Sequence, residues 1–428
     1  MVKYQKELEV YANYDLVVLG GGPAGVSTAI EASRNGVKTL LVEATGMLGG
    51  MATTASVGPF MTCYDRDGNR KIVGGIFDDI VNRLDTRKAV YRPETMQSNS
   101  IYTSYLDKYH KHVTPFNSFD LQLVLDDLVT ESGADVLLYT RFVDCIIENG
   151  TIKGVVLSAL EGLIYVTAKY FVDATGNADV AEKAGVPTWK GEEETFVPQP
   201  ATLMFEIDGV SDDGFIKFGT RPVYPIKPYR TPRNGCYKIN HEHVFSVDAT
   251  NSKSMTDAHI TARKQVVDSY ETLVKTVEGF EKSAISSVAS VLGVRESRHI
   301  KGEYMLTVED VANGVKFDDR IACYGFGMDV HIRNKNMSGN FKVEVAEVYY
   351  VPLRCLLPLN VNNLMVAGKT ISCLSQAAGG LRCMPCAMSM GQAAGATISV
   401  ALKENALVKE VDYKKVQQLL ISHGAIID

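Results

Sequence analysis

Six residues, Gly20-Gly21-Gly22-Pro23-Ala24-Gly25, stand between an apolar tetrad at 16–19 and a run of small residues at helical spacing, 24–33. Gly20 permits a tight strand-to-helix turn, Gly22 lets the backbone approach a pyrophosphate, and Gly25 lets the helix pack closely on the strand. A helix opening at Pro23 and Ala24 points free N–H groups and the positive end of its dipole at that pyrophosphate. Glu43 follows 18 residues after Gly25, at the end of a second apolar strand over 38–42. Its carboxylate accepts hydrogen bonds from a ribose diol and repels a 2′-phosphate. The chemistry implied is binding of a dinucleotide without that extra phosphate.

Other side chains could act on a bound molecule. Arg382 precedes Met384 and Pro385, and it either clamps a substrate carboxylate or carbonyl or forms an ion pair at a domain junction. Arg295, Glu296, Arg298 and His299 form a dense charged cluster after an apolar run over 286–294, read as the end of an interior strand. They are either an interdomain ion-pair network or part of a site. Arg382, Arg295 and His299 are the catalytic candidates, with His331 a further acid–base group to watch. Cys383 and Cys386 are a CxxC pair, either redox-active or, as preferred here, small packed thiols. His241 and His243 alternate as on a strand and would share a face, yet two ligands do not make a metal site. No metal is expected.

The elements that must position these groups are legible in outline. Residues 15–43 read as a β-α-β unit, with Asn35-Gly36 ending the helix. A second glycine group, Ala44 through Gly49-Gly50-Met51-Ala52-Thr53, would lie along an extended cofactor beyond its adenosine half. Tyr170 to Asp173 is a strand running into Ala174-Thr175-Gly176, preceded by an inserted hairpin over 151–156 and 162–166. Residues 120–131 read as a helix. Residues 363–368 form another short strand that ends at Gly368, beside Lys369. Pro385 then suits the first turn of a helix running to about 403, with Ala387, Gly391, Ala394 and Gly395 allowing close packing. Such a helix directs its positive end at a flavin and stabilises the reduced ring. Between these segments lie a strand over 201–208, a Pro-, Tyr- and Arg-rich stretch over 221–237 that either caps a substrate site or is a plain surface loop, and a long amphipathic helix over 257–277.

Three stretches, 15–54, 294–311 and 351–395, resemble the FAD-dependent oxidoreductase family of the glutathione-reductase-like, two-dinucleotide-binding flavoproteins, a group distantly similar to fumarate reductase flavoproteins. The resemblance implies an α/β fold. A Rossmann-like FAD-binding domain over 1–187 and 351–428 would carry an inserted α+β substrate or cap domain over 188–350. It also implies FAD held by Gly20, Gly22, Pro23, Ala24, Gly25, Glu43, Ala44, Gly49 to Thr53, Ala174 to Gly176, Gly368, Met384 and Pro385. The chain departs from the family where Ser375-Gln376 replaces a frequent His-Glu and where Lys369 follows Gly368 in place of Asp. No His lies between Glu43 and Thr62, where relatives attach flavin covalently, so the FAD is expected to be non-covalent. The activity implied is hydride transfer between a small organic substrate and flavin N5. The alternatives are an NAD(P)H-driven flavin reductase or monooxygenase, or a non-catalytic flavin-binding partner protein; no second GxGxxG supports a separate NAD(P)H domain.

Composition narrows the partners. With 44 Lys plus Arg against 50 Asp plus Glu, a net charge of −6 and no basic block, nucleic acid is not an expected partner. Apolar runs fall far short of a membrane span. Eight Cys in 428 residues suit a reducing cytoplasm rather than a disulfide scaffold. The expected partners are the substrate, an electron acceptor of unknown kind and, in a homo-oligomer, a second copy.

Overall fold

A computed structural model describes residues 2, 5–96, 111–211, 226–331 and 344–428. At its centre is a seven-stranded sheet in which β3 (Asp135–Leu137), β2 (Thr39–Val42), β1 (Val10–Leu19), β6 (Gly162–Asp173), β5 (Thr151–Ala159) and β4 (Arg141–Glu148) lie in that order. The strand Leu364–Val366 pairs with β6 as the seventh. β3, β2, β1 and β6 are parallel neighbours, whereas β4, β5 and β6 are antiparallel. Parallel strands covered on both faces must be apolar throughout, which explains why residues 16–19 and 39–42 are fully buried runs.

The second strand of the expected hairpin and the strand before Ala174 are one element. β6 runs unbroken over twelve residues; β5 takes the first part of one edge and Leu364–Val366 takes the last part. The helix Pro23–Arg34 (α1) covers one face, and the helix Met384–Glu404 lies across it. These two elements are separated by most of the chain, yet they meet at their backbones. A Cβ on Gly391 would fall 2.1 Å from the Ala24 carbonyl oxygen, and Thr28 Oγ1 donates to the Gly391 carbonyl at 3.0 Å. Small residues at helical spacing therefore act as the packing surface.

A four-stranded antiparallel sheet stands apart, ordered Ala284–Val288, Phe205–Asp208, Tyr237–Asn240, Lys227–Arg230. Phe205, Ile207, Tyr237 and Ile239 pack there with Ala262, Val266 and Leu273 of the helix Ser252–Thr276 in a second apolar cluster. That helix starts five residues before the expected position because Asn251 caps it, accepting from the Ser254 N–H. The strand expected from 201 begins at Phe205. The run 286–294 is not an interior strand: Ala284–Val288 is a sheet edge with mostly exposed side chains. Residues 221–225 of the Pro- and Tyr-rich stretch lie outside the described residues. The second cluster falls inside 188–350, but Leu306, Ile321, Tyr324 and Tyr349 pack into the larger core beside the Met384 helix. No helix among the described residues is long and apolar enough to cross a membrane.

Candidate functional site

The glycine turn has the geometry its spacing implies. Gly20 sits at φ +105°, and a Cβ on Gly25 would fall 1.8 Å from the Gly20 carbonyl oxygen. Both positions exclude larger residues for reasons internal to the chain. Gly22 differs: its φ is an ordinary −72°, and a Cβ there would meet nothing within 4 Å. The space in front of Gly22 is open, and no side chain caps α1. The first-turn N–H groups of a helix have no intrahelical acceptor, so they face that space as donors for an anion. Glu43 stands beside it, where Oε2 accepts from the Gly21 N–H at 2.7 Å and Oε1 from the Thr45 N–H at 2.8 Å.

The second glycine group lies on the first. The Gly49 N–H donates to the Gly21 carbonyl at 2.8 Å, and a Cβ on Gly50 would lie 2.9 Å from Gly22 Cα. Ala52 and Thr53 are buried beneath this loop, whereas Ala44 is exposed. On the other side, the Ala174 N–H donates to the Leu19 carbonyl at 2.8 Å. Thr175 caps onto Asp173, whose buried carboxylate also accepts from the Val180 and Ala181 N–H groups. The sequence reading missed this role of Asp173. Gly368 abuts Ala24. The structure thus gathers Gly20 to Gly25, Gly50, Ala174 and Gly368 around one opening, which fits a dinucleotide.

Next to it is a cavity of about 280 Å³. Met51, Lys369, Cys383 and Met384 come from the glycine-rich side; Thr202, Met204, Tyr229, Asn240 and Arg295 come from the side of the four-stranded sheet; the segment 326–331 closes it. Pro385 occupies the first turn of the Met384 helix, so the positive end of that helix opens at the cavity wall.

Arg382 and Arg295 both line the cavity. Arg382 Nη2 donates to Asp329 Oδ2 at 3.1 Å and to the Asp329 carbonyl at 2.9 Å, while its Nε has no partner. His331 Nε2 donates to the same carboxylate at 3.1 Å. Burial alone would raise the Asp329 pKa, but His331, Arg382 and Arg295 outweigh it and hold the carboxyl well below the usual range. Burial and Arg295 push His331 down to about 4, so it is neutral at pH 7. Asp329 carries no motif that would have drawn attention to it. Lys369 Nζ donates to the Val294 carbonyl at 2.7 Å, and burial with Arg382 nearby pushes its pKa down to about 8.

The rest of the charged cluster goes elsewhere. Arg298 pairs with Asp179 at 3.0 Å and with Glu182 at 3.5 Å. His299, a catalytic candidate in the sequence, is not among the cavity-lining residues. It packs against Trp189, with Nε2 3.3 Å from Glu296 and Nδ1 3.8 Å from the Cys373 thiol. Burial raises that thiol well above its ordinary range, so the Cys-His-Glu chain holds no thiolate at neutral pH. Burial also pushes Cys383 up to about 12 and Cys386 well up. His241 and His243 lie past the strand end at Asn240 and do not share a face. His241 Nε2 bonds the Leu203 carbonyl at 2.6 Å, whereas His243 packs edge-on to His331. Among the described residues, no group of three or more His, Cys, Asp or Glu side chains is arranged to hold a metal ion.

Comparison with known proteins is consistent with this geometry. The model of the FAD dependent oxidoreductase family matches residues 15–420. A digeranylgeranylglycerophospholipid reductase from Methanoculleus marisnigri is 27% identical over 180 residues, covering 41% of this chain and 42% of its own length. A thiamine thiazole synthase from Aeropyrum pernix is 26% identical over 191 residues, covering 42% of this chain and 61% of its own. The chain thus spans less than two thirds of these curated relatives. Among solved structures, the p-nitrophenol 4-monooxygenase PnpA from Pseudomonas putida shares the fold with a TM-score of 0.53 at 11% identity, covering 96% of this chain and 85% of its own. A geranylgeranyl bacteriochlorophyll reductase-like protein from Thermoplasma acidophilum does so with a TM-score of 0.50 at 16% identity, covering 96% and 83%. The chain belongs to the FAD dependent oxidoreductase family: it is an FAD-dependent oxidoreductase, and FAD is its cofactor.

Proposed function

We propose that the protein moves a hydride between a small organic substrate and N5 of non-covalently held FAD. The pyrophosphate would sit before Gly22 and the α1 N–H groups, with the adenosine ribose on Glu43. Gly49 to Thr53, Ala174 to Gly176 and Gly368 would enclose the middle of the cofactor. Bound FAD supplies the hydride acceptor or donor. The chain's own residues bind, orient and exclude water: Met51, Met204 and Met384 give the cavity apolar walls, and Arg295 and Arg382 supply positive charge. The positive end of the Met384 helix would favour negative charge on a neighbouring ring.

The observation that carries this reading is the backbone contact between Gly391 and Ala24. It brings the helix that opens at the cavity onto the helix that opens at the glycine turn. The division into an FAD-binding part over 1–187 and 351–428 and an inserted substrate part over 188–350 is part of the proposal, as is membership of the glutathione-reductase-like superfamily. It draws support from the separate cluster of the four-stranded sheet. The test is purified protein assayed for flavin. About one FAD per chain, released by denaturation, followed by anaerobic bleaching with an organic donor, is the expected result. Flavin that stays attached after denaturation, or that bleaches only with NAD(P)H, would contradict it.

A further inference from the structure

We propose that the substrate of this cavity carries a carboxylate, and that Arg295 is the residue that receives it. The inference rests on the flavin-oxidoreductase reading of the cavity and names its substrate class.

Arg295 is partly buried, and among the described residues no carboxylate lies within ion-pairing distance of it. Its hydrogen bonds go from Nη1 to the Pro200 carbonyl at 2.7 Å and to Thr202 Oγ1 at 2.9 Å, both neutral acceptors. Thus one edge of the guanidinium is held by the protein, while the residue itself lines the cavity. Arg382 has Asp329 and Arg298 has Asp179; Arg295 has no such partner. A cation drawn largely out of water without an ion-pair partner of its own is expensive to fold around, and desolvation together with the neighbouring Arg382 outweighs the nearby Asp329 and pushes the Arg295 pKa down to about 10. It nevertheless stays charged at pH 7.

The surroundings share the same imbalance. Among the described lining residues, Arg295, Lys369 and Arg382 stand with one carboxylate, Asp329. Asp329 is already shared by Arg382 and His331. The remaining lining is largely apolar, with methionines and valines. A planar guanidinium fixed on one edge presents its other N–H groups in the fork that fits a carboxylate. Apolar walls suit an organic body attached to that carboxylate. Lys369 lies on the glycine-rich side, next to Gly368, and is placed for the cofactor; Arg295, with Thr202, lies on the opposite side, where a substrate would stand.

The test uses the FAD-loaded protein titrated with benzoate and with hexanoate, each against its neutral amide, with the visible flavin bands as readout. The acids are expected to perturb the bands saturably and to bind at least tenfold more tightly than the amides. Arg295→Met should lose at least tenfold in benzoate affinity with FAD content unchanged, and Arg295→Lys should keep part of it. Equal binding of acid and amide, no perturbation by any probe, unchanged benzoate binding in Arg295→Met, or displacement of benzoate by lower concentrations of inorganic phosphate would each overturn the proposal. The acid–amide comparison needs no variant, so it decides even if Arg295→Met fails to fold. Protein that takes up no FAD would instead refute the cofactor reading and is recognised before any titration.

Discussion

The opening before Gly22 and the wall around Arg295 are both proposed to receive anions, and they are built in opposite ways. The first is mainly backbone: glycines, open N–H groups and one helix dipole, with the Glu43 carboxylate bonded to the Gly21 N–H. The second is side chain: Arg295, Arg382 and the pair Asp329 and His331 arrive from three segments and meet partly buried at the cavity. A backbone site is specified locally, because close approach forbids side chains at set spacings. A side-chain site depends on tertiary convergence and leaves no periodic trace.

The sharpest way to break the first region is steric. Gly391→Val places atoms on the Ala24 backbone and should cost about 3 kcal/mol of stability in urea unfolding, with FAD lost alongside. Gly25→Val should behave alike. Glu43→Gln is milder: removing the charged acceptor of the Gly21 and Thr45 N–H groups should weaken FAD binding by about 1.5–3 kcal/mol, measured by titrating apoprotein.

The second region responds to charge rather than volume. Asp329→Asn removes the carboxylate that pairs with Arg382 and lies near Arg295, so benzoate should bind severalfold more tightly and His331 should titrate below about 4, read by NMR. Lys369→Met should have the smallest effect. The folded pKa of Lys369 lies near 8, below the ordinary 10.5. Between those values the unfolded chain holds a proton that the folded chain has lost, so stability rises with pH across that window. In apoprotein the variant should flatten this rise without abolishing it, since Lys238 is also pushed down to about 8 by burial.

This contrast explains what was legible. The glycine turn, α1 and the Met384 helix were readable because 3.6-residue spacing and obligate glycines are local signals; the helix expected to reach about 403 ends at Glu404. Arg295 and Arg382 were noticed as charges, but Asp329, which pairs with Arg382 and lies near Arg295, was not, since only the folded chain brings 295, 329 and 382 together. His299 misled because a charged run gives no sign of which members reach the cavity: it is buried against Trp189 instead. Strand alternation suggested a common face for His241 and His243, yet the strand stops at Asn240. Continuity of β6 was hidden by Lys169, a charged residue that breaks the apolar pattern in mid-strand while facing solvent beside Asp15.

Gly22→Ala tests the central claim most directly. The position has ordinary backbone angles and free space in the chain alone, so apoprotein stability should stay within about 1 kcal/mol of the parent. FAD affinity should fall at least tenfold, because the new methyl group occupies the place given to the pyrophosphate. A variant equally stable and carrying FAD at parental affinity would contradict the account.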